Sequence, residues 1–287
     1  MPSTALLLDQ QLVIVTGASR GLGAAIARAF LREGARVVVN YLNSEAAARE
    51  LAATAPDRAL AMRADVRDAD AVAAMVAGAS EHFGLPVATV VNNALPAFRF
   101  DGDARPHADT LDWARMNAQF EGSVRAALNT TQAALPSMRA AGGGRIINVG
   151  TNLVQNPVVP YHDYTAAKAA LLAFTRTLSH ELGADGITVN MVSGGLLRTT
   201  DASAATPAEV FDLIAAGTPL REVTTPEQFA DAVLFFASPW SRAVTGQNLI
   251  VDGGLVKGEA AAASTPYFGP PFGPMISLPN AWDRSCR

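Results

Sequence analysis

The chain has 287 residues, 49% hydrophobic and 17% charged, so it can bury a large core and is not a disordered polymer. A net charge of −4 argues against a protein held on nucleic acid by phosphate contacts. The one cysteine, Cys286, excludes an internal disulfide and a cysteine-rich metal site, and no apolar run reaches the roughly 20 residues of a membrane span. Met1–Val15 has no basic residue ahead of its apolar stretch and does not read as a secretory signal. A cytoplasmic globular protein is expected, with no metal, nucleic-acid or membrane partner.

Leu12–Val15 reads as a strand, and residues 21–33 as a helix stopped by Gly34. Arg36–Asn40 is a strand, 44–53 a helix, 59–64 a strand and 69–83 a helix ending at Gly84. A strand at Ala88–Val91 precedes a long helix over about 110–139 and a glycine run at 142–144. Strands at Arg145–Val149 and Ile187–Val192 flank a helix over 161–182. A helix at 226–237 and a strand at Leu249–Val251 complete the pattern. Thr206-x-x-Glu209 and Thr225-x-x-Gln228 read as capping boxes with Pro207 and Pro226 in the first turn. This alternation predicts an α/β fold, a doubly wound, Rossmann-like parallel sheet with helices on both faces, over residues 1–257. From 258 to 287 the composition turns to Ala, Pro and Gly. It favours a loose tail over an arm laying aromatics on a neighbour.

The first strand runs into Thr16-Gly17-Ala18-Ser19-Arg20-Gly21-Leu22-Gly23 and then a helix. Glycines allow close backbone approach, and a helix N-terminus offers free N–H groups to a pyrophosphate. An NAD-binding chain carries an acidic residue about 20 residues further on for the ribose 2′-hydroxyl. Here that place holds Asn40 and Tyr41, with Asn43 and Ser44 close by and Arg20 in the turn. A 2′-phosphate is not repelled there, and NADPH is expected over NADH.

Tyr164 and Lys168 stand four apart, on one face of a helix. A neighbouring ammonium favours a phenolate, so Lys168 is expected to lower the Tyr164 pKa and make it a usable proton donor. With the Thr16–Gly23 turn, Asn92-Asn93-Ala94, Asn117, Val189-Asn190, Thr199 and Val251-Asp252-Gly253-Gly254, the chain resembles the short-chain dehydrogenase/reductase family over about residues 10–254.

The resemblance implies that Tyr164 donates a proton to a carbonyl oxygen as hydride arrives, that Lys168 binds the nicotinamide ribose, and that Asn117 holds a relay water. It implies that Asp65 and Val66 meet the adenine, that Asn92, Asn93 and Ala94 line the adenosine side, and that Thr199 meets the carboxamide, with Gly194, Gly195 and Leu197 beside the nicotinamide. Thr151 stands where the family's substrate-orienting serine lies, 13 residues before the tyrosine. Leu95 and Pro96 replace a glycine after Asn92-Asn93-Ala94. Gly194-Gly195 replaces Pro-Gly, which is expected to loosen that loop.

Within the family the chain looks nearest to the 3-oxoacyl carrier-protein reductases. It lacks their basic pair for an acidic carrier: those stretches are Gly142-Gly143 and Ala184-Asp185, with Arg139 and Arg145 near. An apolar substrate pocket is expected from Leu95, Pro96, Leu153, Val158 and Phe211, with Gln155 and His162 as polar contacts and a lid over 196–220. The implied activity is reduction of a ketone to a secondary alcohol by NADPH, with a 3-oxoacyl thioester among the candidate substrates, in a homotetramer built on the helices carrying Asn117 and Tyr164. A cofactor-binding regulator with little catalysis and an oxidative alcohol dehydrogenase are the competing readings.

Overall fold

The structure, a computed structural model, describes residues 6–96, 98, 100, 104–198, 200, 203, 204 and 206–256. The expected tail at 258–287 and Thr199 lie outside the described residues. Among the described residues, seven strands form one parallel sheet: β1 (Leu12–Val15), β2 (Arg36–Tyr41), β3 (Ala59–Arg63), β4 (Val87–Asn92), β5 (Gly144–Thr151), β6 (Ile187–Gly194) and β7 (Asn248–Val251). Their spatial order is β3-β2-β1-β4-β5-β6-β7. The chain leaves β1 toward β2 and returns to its other side with β4, so the order reverses between β1 and β4. In open α/β sheets the ligand crevice lies beyond the strand ends at such a switch.

The α-helices of the described residues are α1 (Gly21–Arg32), α2 (Glu45–Ala53), α3 (Ala69–Phe83), α4 (Trp113–Phe120), α5 (Ala126–Ala140), α6 (His162–Leu182), α7 (Ala208–Gly217) and α8 (Pro226–Ala237). Strand side chains alternate between the two faces. Val13, Val15, Val37 and Val39 pack with α1, α2 and α8, while Leu12, Ile14 and Val38 pack with α3, α5 and α6. Strands buried on both faces are why the sequence shows unbroken apolar runs.

Two expectations change. The long helix begins later, where Asp112 caps α4 by accepting the Arg115 N–H at 2.8 Å, and it is unbroken but not uniformly α-helical, because Glu121–Arg125 is a π-helical turn joining α4 to α5. The second change is at α7. The Thr225 box closes as expected, Thr225 Oγ1 accepting the Gln228 N–H at 3.3 Å and Gln228 Oε1 accepting the Thr225 N–H at 2.9 Å. The Thr206 box does not. Pro207 is extended and itself precedes α7, which puts Thr206 one residue too far out, its hydroxyl buried without a partner among the described residues.

Candidate active site

A cleft of about 1330 Å³ opens at the C-terminal ends of β1, β2, β4, β5 and β6. Its first wall is the glycine turn between β1 and α1. Gly17 has φ +62, a left-handed conformation, and a Cβ there would lie 2.9 Å from Ala94 Cα. A Cβ on Gly23 would collide with the Gly17 carbonyl oxygen and with Asn93 Nδ2. Asn93 Nδ2 donates to the carbonyls of Thr16 and Gly17 at 2.9 and 3.2 Å. The turn is thereby pinned to the loop after β4, leaving the first N–H groups of α1 at the cleft. A cradle this tight, backed by a helix N-terminus, fits a pyrophosphate.

Thr16 is the keystone that sequence reading undervalued. Its hydroxyl donates to the Val91 carbonyl at 3.2 Å and accepts the N–H groups of Asn93 and Ala94 at 2.9 and 3.0 Å. At the end of β2, Asn40 is 2% exposed and its amide is committed to backbone: Oδ1 accepts the Gly17 N–H at 3.1 Å and Nδ2 donates to the Ala64 carbonyl at 3.1 Å. Asp65 pairs with Arg67 at 2.6 Å, and that guanidinium holds its carboxyl below the ordinary value. Asn129 Nδ2 fixes Val66 by donating to its carbonyl at 3.0 Å.

Of the expected cofactor residues, Gly17, Ser19, Arg20, Gly21, Leu22, Gly23, Asn40, Tyr41, Asn43, Ser44, Asp65, Val66, Asn93, Ala94, Tyr164, Lys168, Gly194, Gly195 and Leu197 line this cleft. Asn92 does not. It is a buried strut: Nδ2 donates to Asn148 Oδ1 at 2.8 Å, and Oδ1 accepts from Thr130 Oγ1 at 2.6 Å. Asn148 Nδ2 continues to Thr175 Oγ1 at 2.8 Å, so one chain of hydrogen bonds runs from α5 by way of β4 and β5 to α6 on the same face of the sheet. Gly194 is not part of a loosened loop either. It ends β6, in register between Thr151 and Val251. Beside it, Asp252 accepts Asn152 Nδ2 at 2.9 Å and the N–H groups of Gly254 and Val256 at 3.0 Å each.

The second wall carries the side chains expected to be catalytic. Thr151 is the last residue of β5, its hydroxyl accepts the Leu153 N–H at 3.3 Å, and it stands close enough to Tyr164 on α6 to pull the phenol's pKa down. Lys168 lies one turn on, its Nζ donating to the Val149 carbonyl at 2.7 Å and standing 5.8 Å from the Tyr164 ring centroid. Both are buried, at 6% and 3% exposure. The expected lowering of the Tyr164 pKa is not what this arrangement produces. Burial pushes the phenol up to about 12, and the nearby Thr151 hydroxyl offsets only part of that. Burial also brings Lys168 down to about 8. Desolvation dominates both shifts, because the phenol and the ammonium are buried together.

Asn117 is exposed on α4 and does not line the cleft. The buried polar group beyond it is Ser123, 4% exposed, in the π-helical turn packed on α6. Its hydroxyl finds no partner among the described residues, and the adjacent Gly122 lines the cleft. The wider turn of a π-helix rotates every later side chain about the axis. That rotation is invisible in an alanine-rich pattern.

Leu95 and Pro96 line the cleft as expected. Leu153 is buried against Tyr161 and Tyr164 just behind it. Gln155, Val158 and His162 are exposed and are not brought to the cleft, because the turn at Asn152–Val154 carries the next loop outward. Phe211 is buried on α7 beneath the Arg198 guanidinium, 5.3 Å from its ring centroid, and also stays out of the cleft. Sequence reading missed Leu42, Ala64, Arg67, Phe98, Phe100, Gly122, Val149, Gly150, Thr200, Ala204 and Phe229 in the lining. Phe98 and Phe100 had a readable sign, two aromatics two residues apart, starting two residues after Pro96.

The parallel sheet, its switch-point cleft and the Thr151–Tyr164–Lys168 group together define a dinucleotide-binding oxidoreductase fold. Residues 17–256 match the family model described as enoyl-(acyl carrier protein) reductase. The chain belongs to the short-chain dehydrogenase/reductase family of oxidoreductases. It is 36% identical over 249 residues to cis-4-hydroxycyclohexanecarboxylate dehydrogenase of Sinomonas cyclohexanicum, covering 85% of this chain and 96% of that protein. It is 33% identical over 262 residues to the 3-oxoacyl-[acyl-carrier-protein] reductase of Synechocystis sp., covering 87% and 98%. Among solved structures, a blue fluorescent protein from a metagenomic library, in complex with NADPH, is 35% identical with a TM-score of 0.76, over 87% of this chain and 99% of that one.

Proposed function

We propose that this protein is an NADPH-dependent reductase that converts a small free ketone to a secondary alcohol. The observation that carries the reading is the placing of Tyr164 and Lys168, with Thr151 beside the phenol, in a cleft continuous with the glycine turn. When bound, the dihydronicotinamide supplies the hydride. Tyr164, a phenol at neutral pH, gives its proton to the carbonyl oxygen. Thr151, fixed at the end of a strand, donates to that same oxygen and orients it. Lys168 holds the nicotinamide ribose and stabilises the phenolate left behind. Ser123, with its unpartnered buried hydroxyl, holds the water that reprotonates the site, the role expected of Asn117.

NADPH is favoured over NADH because the end of β2 presents Asn40 and Tyr41 rather than a carboxylate, and Arg20 lines the same wall. A free ketone is favoured over a carrier-bound thioester because neither nearby arginine offers an open charge. Arg139 is paired with Asp185 at 2.7 Å and Arg145 is buried. The exposed Trp113 on α4 and Leu128 on α5 support a homotetramer built on that face and α6.

The test is NADPH oxidation against a panel of an acetoacetyl thioester, a small diketone and a bulky cyclic ketone. Turnover that disappears in Tyr164→Phe, with NADPH binding retained, is the expected result. Equal dissociation constants for NADPH and NADH would remove the cofactor assignment, and turnover surviving in Tyr164→Phe would remove the mechanism.

A further inference from the structure

The ring of Tyr164 is not bare. Phe98 stacks on it with centroids 4.5 Å apart and planes at 18°, and Phe100 meets it edge-on at 5.7 Å and 88°. The two phenylalanines contact each other edge-on at 5.1 Å, and Tyr161 meets both edge-on, at 5.4 and 5.7 Å. Phe98 and Phe100 line the cleft with Tyr164 and Lys168. Two rings therefore contact the one side chain that must meet the carbonyl, and Tyr161 backs them both. An aliphatic wall would have given apolarity without this geometry. Stacked and edge-on pairs add an attraction beyond buried area that only a flat π-system recovers.

We propose that Phe98 and Phe100 form an aromatic clamp that selects ketones conjugated to a flat ring. This rests on the ketone-reductase reading of the same site and names its substrate class. Phe98 covers the Tyr164 ring face, so a ketone reaching the phenol hydroxyl displaces that stacking. A flat aryl group replaces it with an equivalent stack on Phe98, with Phe100 at its edge. A saturated ring is puckered, offers no π-face, and recovers only dispersion. Phenylalanine has two side-chain torsions, so ordering the clamp costs little entropy.

Two measurements test the clamp. The first is kcat/KM with NADPH for 1-tetralone and for its saturated counterpart 1-decalone, in wild type, Phe98→Leu and Phe100→Leu. Leucine keeps the apolar bulk and removes the ring. Intrinsic reactivity cancels when each variant's tetralone-to-decalone ratio is divided by that of wild type. The ratio is expected to fall about tenfold in Phe98→Leu and by a smaller factor in Phe100→Leu. A ratio unchanged in both variants overturns the clamp.

The second measurement needs no turnover: calorimetric binding of 1-tetralol and 1-decalol to NADP+-loaded Tyr164→Phe, with and without Phe98→Leu. A tetralol preference that shrinks with Phe98→Leu supports the clamp even if neither ketone is reduced, in which case the reductase reading fails alone. Equal binding of the two alcohols overturns the clamp and leaves the reductase reading in place.

Discussion

Lys168 Nζ donates to the Val149 carbonyl oxygen at 2.7 Å, and this one contact ties α6 to the cleft end of β5. The cation is held against that carbonyl at 3% exposure, so the folded state disfavours its charge. A drop from 10.5 to about 8 corresponds to about 3 kcal/mol at neutral pH. The lost hydrogen bond would return about 1 kcal/mol. Lys168→Met is therefore expected to be inactive and more stable, melting about 5 °C higher at neutral pH. Between about 8 and 10.5 the unfolded chain holds the Lys168 proton and the folded chain has released it, so wild-type stability gains with rising pH. The advantage of the methionine should shrink across that window. A melting temperature lowered at pH 7 would show that the ammonium is a net stabiliser.

The Tyr164 phenol gives a second test. With its pKa pushed up to about 12, the ligand-free enzyme should keep Tyr164 protonated at pH 10, the ordinary midpoint for a phenol. Carbon-13 labelling of tyrosine rings, with Tyr164→Phe to assign the signal, reads this directly. A midpoint near neutrality would show that Lys168 wins over desolvation after all.

The buried chain Thr130–Asn92–Asn148–Thr175 predicts a stability effect without a chemical one. Asn148→Leu removes both hydrogen bonds of that side chain and leaves Asn92 and Thr175 each short of one. A loss of about 1–3 kcal/mol is expected, chiefly from the buried Asn92 Nδ2 left unsatisfied, since Thr175 Oγ1 keeps its bond to the Leu171 carbonyl. Urea unfolding measures it. A midpoint within error of wild type would mean that the network is already hydrated.

Gly23→Ala should separate cofactor binding from folding. The added methyl collides with the Gly17 carbonyl oxygen, so the turn has to move. NADPH affinity is expected to fall at least about tenfold, as backbone N–H groups leave the pyrophosphate. Fluorescence titration of NADPH, alongside circular dichroism, distinguishes a lost site from a lost fold.

The sheet and most helices were legible because strands buried on both faces read as unbroken apolar runs and helices repeat every 3.6 residues. The cofactor turn was legible for a similar reason, since its residues are contiguous. The hidden features depend on partners far apart in the chain. Asn92 looks like a ligand-lining residue until Asn148, 56 residues away, is found to hold its amide. Asn117 is exposed and Ser123 buried beside a π-helical turn that leaves no mark in composition. The opposing pull on the Tyr164 phenol was hidden as well: spacing shows that an ammonium is near but not that both groups are dry.

The π-helical turn at Glu121–Arg125 has one more consequence. α4 lies against α6, whereas α5 lies against α3 and β4. A single straight helix cannot aim one apolar stripe at both. One residue added to a turn rotates everything beyond it by about 100°, and that offset lets a continuous rod serve two differently oriented layers. Removing one residue from 121–125 would restore an ordinary helix while turning the Trp113 end away from its present azimuth. This short stretch is therefore the most length-sensitive segment of the helix, although nothing in its own side chains marks it so.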